Sequence, residues 1–462
     1  MQKYANYEPS QADWLGFLPE HWDSRKVGAL FVERKTKVSD KDFAPLSVTK
    51  FGVVPQLANA AKTNAGDNRK LVRTGDFVIN SRSDRKGSCG VSGLDGSVSL
   101  INIVLTSRGI LDEKYIHYLL RSQPFSEEYY HNGRGIVADL WTTRYSEMKS
   151  ILLPVPPHEE QDQIVRFLDW KVSSINKLIS NYRHQIVLLD EMKQRRIDEA
   201  VVKGMRKSPL VHNDDIRWDI DYPERWQIQR IRESFSFRKG LSITKANLEE
   251  TGIAVISYGQ VHSKKNSGVG LNEELIRYVN ESYLTTNQSC LVEKGDFIFA
   301  DTSEDVTGCG NCAYIDWDDT IFAGYHSIIA HPDGSTDNKY LAYLFKSPTW
   351  RYQIRKKVNG VKVYSITQKM LKDAFILVPP VDEQKEIVHY LDEVCAKIDA
   401  AISKMEEKVS NLRDLKIRLV ADTVTGKIDV RGIEIPEYEF ADEVVDADAE
   451  DDGEEATGEQ ED

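Results

Sequence analysis

Two stretches of this chain carry apolar residues at alternating spacings of three and four, the signature of a helix with a continuous seam. The first runs Leu168, Val172, Ile175, Ile179, Tyr182, Ile186 and Leu189; the second runs Leu391, Cys395, Ile398, Ile402, Met405, Val409 and Leu412. Lys193 and Lys416 fall on equivalent positions of the two seams. Each stretch follows a double proline and opens with acidic residues, Glu159 and Glu160 or Asp382 and Glu383, which complement the positive end of a helix dipole. Sustained heptads predict a coiled coil rather than a helix packed on its own domain. Each seam needs a partner, so the economical arrangement pairs the two helices with each other, antiparallel. Homodimerisation through each helix separately is the alternative.

The seams belong to a repeat that covers most of the chain. LPVPPHEEQDQIVRFLDW from Leu153 returns as LVPPVDEQKEIVHYLDE from Leu377 at a shift of 223. Upstream, LPEHW at Leu18 to Trp22 returns as YPERW at Tyr222 to Trp226, at a shift of 204. RTGDFVINSRSDRKGSCG (Arg73 to Gly90) pairs with EKGDFIFADTSEDVTGCG (Glu293 to Gly310) at a shift of 220, which aligns Cys89 with Cys309. Its Gly-Asp step reads as a tight turn into a strand. KYIHYLLRSQP from Lys114 matches KYLAYLFKSP from Lys339, an amphipathic helix ended by proline. The β-type runs LSVTKFGVV from Leu46 and IAVISYGQV from Ile253 read as strands leading into loops. The expected fold is α+β: two pseudo-repeated mixed globular modules, 1–150 and 206–372, separated by helical spacers at 151–205 and 373–433.

Composition adds limits. The 462 residues, 40% hydrophobic and 9% aromatic, suffice for two or three ordinary cores. No run approaches the roughly 18 apolar residues of a membrane span, and five cysteines, an odd number, suit a reducing compartment; the expected location is the cytoplasm. The net charge of -13 is concentrated at one end: from Glu434 onward there are 15 acidic residues and no Lys or Arg. That stretch, 434–462, reads as a disordered acidic tail. The remainder holds 60 basic and 58 acidic residues, a net of +2.

At this point the residues carry a resemblance. Two variable modules, each followed by a PPxxEQ segment (Pro156, Pro157, Glu160, Gln161; Pro379, Pro380, Glu383, Gln384) and a heptad helix, with VTGKIDVRG at Val424 to Gly432, are similar to the specificity subunit of type I restriction-modification systems. The similarity covers the chain from about Asp13 to Gly432; the end of the first helix, VVKGMRK at Val201 to Lys207, departs from it. The resemblance implies that each module is a target recognition domain reading one half of a split double-stranded DNA site. It implies helices that set the gap and, with the PPxxEQ segments, dock two methyltransferase subunits, to which restriction subunits add. It further implies that this subunit is not catalytic, with S-adenosylmethionine, ATP and Mg²⁺ belonging to partner subunits.

Independent support for nucleic-acid binding comes from 338–372, which has nine Lys and Arg, no acid and six interleaved aromatics. Such a stretch suits phosphate neutralisation and base stacking. The candidates there are Arg355, Lys356, Lys357 and Lys362. In the first module the candidates are Thr49 and Lys50 after a strand, and Arg82, Arg85 and Lys86 in the loop SRSDRKG. In the second they are Tyr258, Gln260, Lys264, Lys265 and Asn266. Arg, Lys, Asn and Gln are chosen because they can read base edges bidentately. Catalytic motifs fail: Gly426-Lys427 lacks the rest of a phosphate loop, and no Asn/Asp-Pro-Pro-aromatic motif for holding a flipped base occurs. Cys309 and Cys312 form a CxxC with Cys290, His326 and His331 nearby in sequence; structural zinc is weighed, but buried thiols are preferred and no metal is expected. Two readings remain, a DNA-sequence recognition subunit and a coiled-coil scaffold whose modules bind proteins, with a nuclease acting alone as a weaker third.

Overall fold

The computed structural model describes residues 2–57, 66–135, 141–213, 218–360 and 362–442. It is a mixed α and β chain that divides into two compact units, residues 1–184 with 405–462 and residues 185–404. Both long helices therefore contribute to both units. Among the described residues no helix is long and apolar enough to cross a membrane.

In unit 1 the elements are β1 (Asp23–Lys26), β2 (Phe31–Glu33), a hairpin of β3 (Leu46–Thr49) and β4 (Gly52–Pro55), β5 (Phe77–Asn80), β6 (Cys89–Val91) and β7 (Asn102–Ser107). There follow α1 (Glu113–Arg121), α2 (Gln123–His131), β8 (Leu152–Val155) and α3 (His158–Lys203). The central sheet is antiparallel in the order β6-β5-β7-β2. All four residues of β5 are buried, which is why its apolar run does not alternate. β8 pairs with β1, Val155 opposite Asp23, and ties the start of α3 to the start of the module.

Unit 2 rebuilds this plan. Its elements include β9 (Gln227–Arg230), β10 (Phe235–Lys239), β11 (Phe297–Ala300), β12 (Thr302–Ser303), β13 (Cys312–Tyr314), β14 (Ser327–Pro332), α4 (Asn338–Lys346), α5 (Pro348–Arg355), β15 (Tyr364–Ser365), β16 (Phe375–Val378) and α6 (Val381–Val424). The sheet order β13-β11-β14-β10 and the pair β9·β16 repeat those of unit 1. Gly75 (φ 87°) and Gly295 (φ 103°) make the expected turns into β5 and β11. The carboxylates of Asp76 and Asp296 close them by accepting the Arg73 and Glu293 amides, each at 2.9 Å.

Two sequence equivalences are corrected. Cys89 opens β6 opposite Ile79, and the residue in that place in unit 2 is Cys312, opposite Phe299, not Cys309. The loop after β11 is three residues longer than the loop after β5, so an ungapped shift misaligned the strand beyond it. The stretches from Leu46 and Ile253 also differ in form. The first is a hairpin, whereas Ile253–Ile256 is a strand followed by a short helix, Tyr258–His262.

α3 has 46 residues and α6 has 44. Of the fourteen seam residues, Leu168, Ile175, Ile179, Leu391, Cys395, Ile398 and Val409 are buried and the other seven are half-buried. Within each unit the two helices run past each other in opposite directions. In unit 1, Lys416 Nζ reaches Asn176 Oδ1 at 3.4 Å and Lys408 lies over the Tyr182 ring; in unit 2, Lys193 Nζ reaches Asp399 Oδ1 at 2.5 Å and Arg206 meets Asp382 at 2.7 Å. Asn176 and Asp399 are themselves repeat equivalents, so one lysine contact occurs twice, once with a neutral partner and once with a charged one.

The start of the acidic tail is ordered against unit 1, contrary to expectation. Gln163 donates to the carbonyls of Val430 and Ile433, Ser173 and Asn176 donate to that of Ala441 at 3.3 and 3.2 Å, and Lys177 pairs with Glu439 at 2.8 Å. Residues 433–442 thus lie along four turns of α3. The positions that hold the far end of this strap, Ser173, Asn176 and Lys177, are Ala396, Asp399 and Ala400 in the second helix. Residues 443–462 lie outside the described ones.

Candidate nucleic-acid interface

The residue that follows the buried central strand occupies the same position in both units. Ser81 donates its amide to the Ile101 carbonyl at 3.3 Å and accepts from the Thr143 amide at 2.9 Å. Asp301 donates to the His326 carbonyl at 3.1 Å and accepts from the Ile366 amide at 2.7 Å. The next residue continues the ladder: Arg82 bridges Thr142 in unit 1, and Thr302 pairs with Ser365 in unit 2. Three separate segments are joined here by main-chain hydrogen bonds. We call this junction the frame.

What the frame presents differs between the units. In unit 1, Arg82, Arg85 and Lys86 are exposed on one segment. Arg134 also bridges Thr142, Trp141 is 37% exposed, and Lys86 sits 5.9 Å over the Tyr130 ring. Arg134 and Trp141 were not among the sequence candidates; their signal was an Arg and a Trp shortly before the strand that leads into the long helix. In unit 2, Thr302 and Tyr364 stand where unit 1 has Arg82 and Trp141, and His326 stands where unit 1 has Ile101. The half-buried Tyr258 packs edge-on against the rings of Tyr325 (5.6 Å) and His326 (5.5 Å). Lys356 and Lys362 are exposed beside it in sequence, with Lys356 5.9 Å over the exposed ring of Tyr352. The basic loop of the first module and the basic stretch 338–372 of the second therefore converge on one repeated junction, from different segments of it.

Other candidates are committed to the fold. Gln260 accepts the Ser257 amide at 3.1 Å and caps its own short helix. Asn266 donates to the carbonyls of Val261 and Cys312 and accepts from the Gly268 amide, leaving it no donor for the bidentate contact a base needs. Thr49 closes the β3–β4 turn by donating to Gly52 O and accepting from Phe51 N, with Lys50 exposed at its tip. Lys265 pairs with Glu274; Lys264 is exposed and engaged within the protein. Arg355 donates to the Thr307 carbonyl, and Lys357 to that of Asp373 at 3.4 Å. Burial lowers the pKa of both, the cost of removing a cation from water.

The PPxxEQ segments prove to be internal. Gln161 accepts the Asp112 amide at 2.7 Å and donates to Pro156 O at 2.9 Å; Gln384 accepts the Asp337 amide and donates to Pro379 O, both at 2.7 Å. Asp112 and Asp337 are the N-caps of α1 and α4, so each glutamine fastens a long helix to a short one. Glu160 receives His21 at 2.8 Å and the Tyr4 hydroxyl; Glu383 receives Arg225 at 2.6 Å and the Trp226 indole at 2.9 Å. With all four side chains buried, and Pro156 and Pro379 buried beside them, only Pro157 and Pro380 are accessible. Of the eight residues expected to dock partner subunits, six are therefore used inside the fold and two remain accessible.

Cys89, Cys290, Cys309, Cys312 and Cys395 are all buried and unpaired. Burial pushes the thiols of Cys89 and Cys312 up to about 12, the opposite of what a metal-ligating thiolate needs. Among the described residues no group of three or more His, Cys, Asp or Glu is arranged to hold a metal.

Known proteins resemble this chain along much of its length. Residues 223–409 match the family model of the type I restriction modification DNA specificity domain. The chain is 22% identical over 327 residues to the type I restriction enzyme MjaVIII specificity subunit of Methanocaldococcus jannaschii, covering 70% of this chain and 72% of that one. It is 21% identical over 466 residues to the putative type I restriction enzyme MjaX specificity subunit of the same organism, covering 93% and 98%. A chain solved in work on complex assembly and conformational transition of the type I R-M system shares the fold, with a TM-score of 0.62 at 15% identity, over 89% of this chain and 99% of that one. A specificity domain matched across the second half and relatives that are specificity subunits along most of their length make this chain similar to the specificity subunits of type I restriction-modification systems.

Proposed function

We propose that this chain is the non-catalytic DNA-reading subunit of a type I restriction-modification complex, each unit reading one half of a bipartite target. The observation that carries the reading is the frame: one main-chain junction built twice, presenting Arg82, Arg134 and Trp141 in one unit and Thr302, Tyr364 and His326 in the other. Cationic and aromatic side chains on a common scaffold suit phosphate contact and base readout. Because the two sets differ, the half-sites differ, and the target is asymmetric.

The paired helices serve as the spacer that fixes the unspecified gap. Two methyltransferase subunits dock along them, and restriction subunits join to complete the nuclease; S-adenosylmethionine, ATP and Mg²⁺ belong to those partners, and the complex acts on DNA in the cytoplasm. Since the PPxxEQ side chains are internal, docking falls to exposed apolar residues on the helices: Leu178, Val187, Leu188 and Met192 on α3, Leu415 and Ile417 on α6. Mapping methylated bases in a host that expresses the chain with its methyltransferase partner tests the proposal. A split, asymmetric motif with a fixed gap is expected. One contiguous motif, or binding to every DNA alike, would turn the reading toward a scaffold whose modules bind proteins.

A further inference from the structure

The frame places one turn at corresponding points of the two units, the turn entering β7 and β14. Its position is fixed in each by the carbonyl of the second turn residue, Ile101 or His326, which accepts the amide of Ser81 or Asp301. Its side chains are not alike. Unit 1 has Leu100 and Ile101, large apolar residues that are 42% and 41% exposed. Unit 2 has Tyr325 and His326, the histidine side chain 57% exposed.

His326 is held with some care. It is the one non-glycine residue at positive φ among those described (53°), a left-handed conformation uncommon outside glycine. Nδ1 faces Asp301 Oδ1 at 3.2 Å and Thr302 Oγ1 at 3.4 Å, and the ring meets Tyr258 and Tyr325 edge-on. With Nδ1 engaged, Nε2 is the ring nitrogen left to meet another molecule. Glycine or asparagine would fit this backbone with less strain, and the internal contacts of the ring use Nδ1 and its edges but not Nε2.

We infer that this turn is a specificity-determining position, offering apolar side chains suited to a thymine methyl group in the first half-site and a histidine ring nitrogen suited to a base's hydrogen-bonding edge in the second. The inference rests on the DNA-reading function proposed above. Exposed apolar groups against the thymine methyl, and polar groups against N7, O6 or the exocyclic amines, are how the major groove is told apart. A turn whose backbone is pinned while its side chains change from apolar to polar keeps the reader in place and changes what is read.

The test uses the full chain with its methyltransferase partner, comparing wild type with His326→Gly, His326→Asn and Ile101→Ser by mapping methylated sites. Either change at His326 is expected to relax one base pair of the second half-site, lowering discrimination there about tenfold or more, with the first half-site and gap unchanged. Ile101→Ser should relax one base pair of the first half-site only. Glycine suits the left-handed backbone, which offsets the lost ring contacts, and the Tm of each variant measured beside its motif separates lost reading from lost folding. Motifs unchanged at every position in all three variants, or a uniform drop in methylation with no base relaxed, overturn the inference and leave the DNA-reading function standing. No split motif from the wild-type chain overturns that function, and the inference with it.

Discussion

His117 on α1 illustrates how a single side chain in a module ties stability to acidity. Its Nε2 lies 2.7 Å from Arg121 Nη1, so the ring accepts from a permanent cation and must stay neutral. Burial first, then the neighbouring Arg121 charge, pull its pKa from the ordinary 6.5 down to about 4, against a smaller opposing pull from Asp169. The unfolded chain therefore takes up a proton that the folded chain refuses as pH falls from about 6.5 to about 4. Stability is unaffected above 6.5 and is lost progressively through that window, by up to about 2 kcal/mol at pH 5. In urea unfolding of unit 1 at pH 7 and pH 5, His117→Gln should shrink the difference between the two midpoints; equal differences in variant and wild type would refute the assignment. Residue identity alone could not have supplied this, because a lone histidine on an amphipathic helix reads the same whether its neighbour is water or a guanidinium. The binding candidates suffered likewise. Gln260 and Asn266 have side chains capable of reading bases, yet the oxygen of the first accepts from the backbone of its own helix cap and both donors of the second go to main-chain carbonyls. The Gln of the PPxxEQ segment was noticed for recurring, but its use as an internal fastener depends on an amide 49 residues away in one unit and 47 in the other.

At the scale of elements, periodicity was the best guide. The seams, the helix starts and the capped pair α1 and α4 all lie where local spacing put them, since a helix writes its buried face into neighbouring turns. The frame was hidden for the opposite reason: its partners are some 20 and 60 residues apart and meet through main-chain groups that every residue type possesses. The strap escaped too, because acidic composition speaks for disorder while Ile433 and Ile435 pack on the unit 1 core. Its docking can be separated from that of the helix pair. Truncation after Gly432 should speed amide exchange over the Ser173–Lys177 turn of α3 without changing exchange around Lys193 and Asp399. Ser173→Ala with Lys177→Ala, which makes the first helix resemble the second, should reproduce part of that effect. Unchanged protection at Ser173–Lys177 in the truncated chain would show that the strap contributes nothing to holding that helix.

For the molecule as a whole, the proposed division of labour makes the gap and the half-sites separable quantities. Both helices must be altered together, since within each unit they pair in opposite directions and a single insertion would slip Lys193 from Asp399 or Lys416 from Asn176. Seven residues inserted into each at matching positions add about 10 Å of helix, or about three base pairs of duplex. Methylation mapping should then return the same two half-sites with a gap lengthened by about that amount. Altered half-sites, or an unaltered gap, would remove the helices from the role of spacer.

The main-chain construction of the frame bears finally on how such a protein changes over generations. A reader held in place by side chains could alter its target only through substitutions that also loosen the fold, so each new preference would demand a second, compensating change. Here Ser81 and Asp301 make the same two bonds with amide and carbonyl groups that no substitution except proline removes. The exposed positions around them carry little responsibility for stability, and single mutations there can be sampled without passing through a poorly folded intermediate. Under the proposed function, a novel target then lies one step away in sequence space, with no change demanded of the helices and their fasteners.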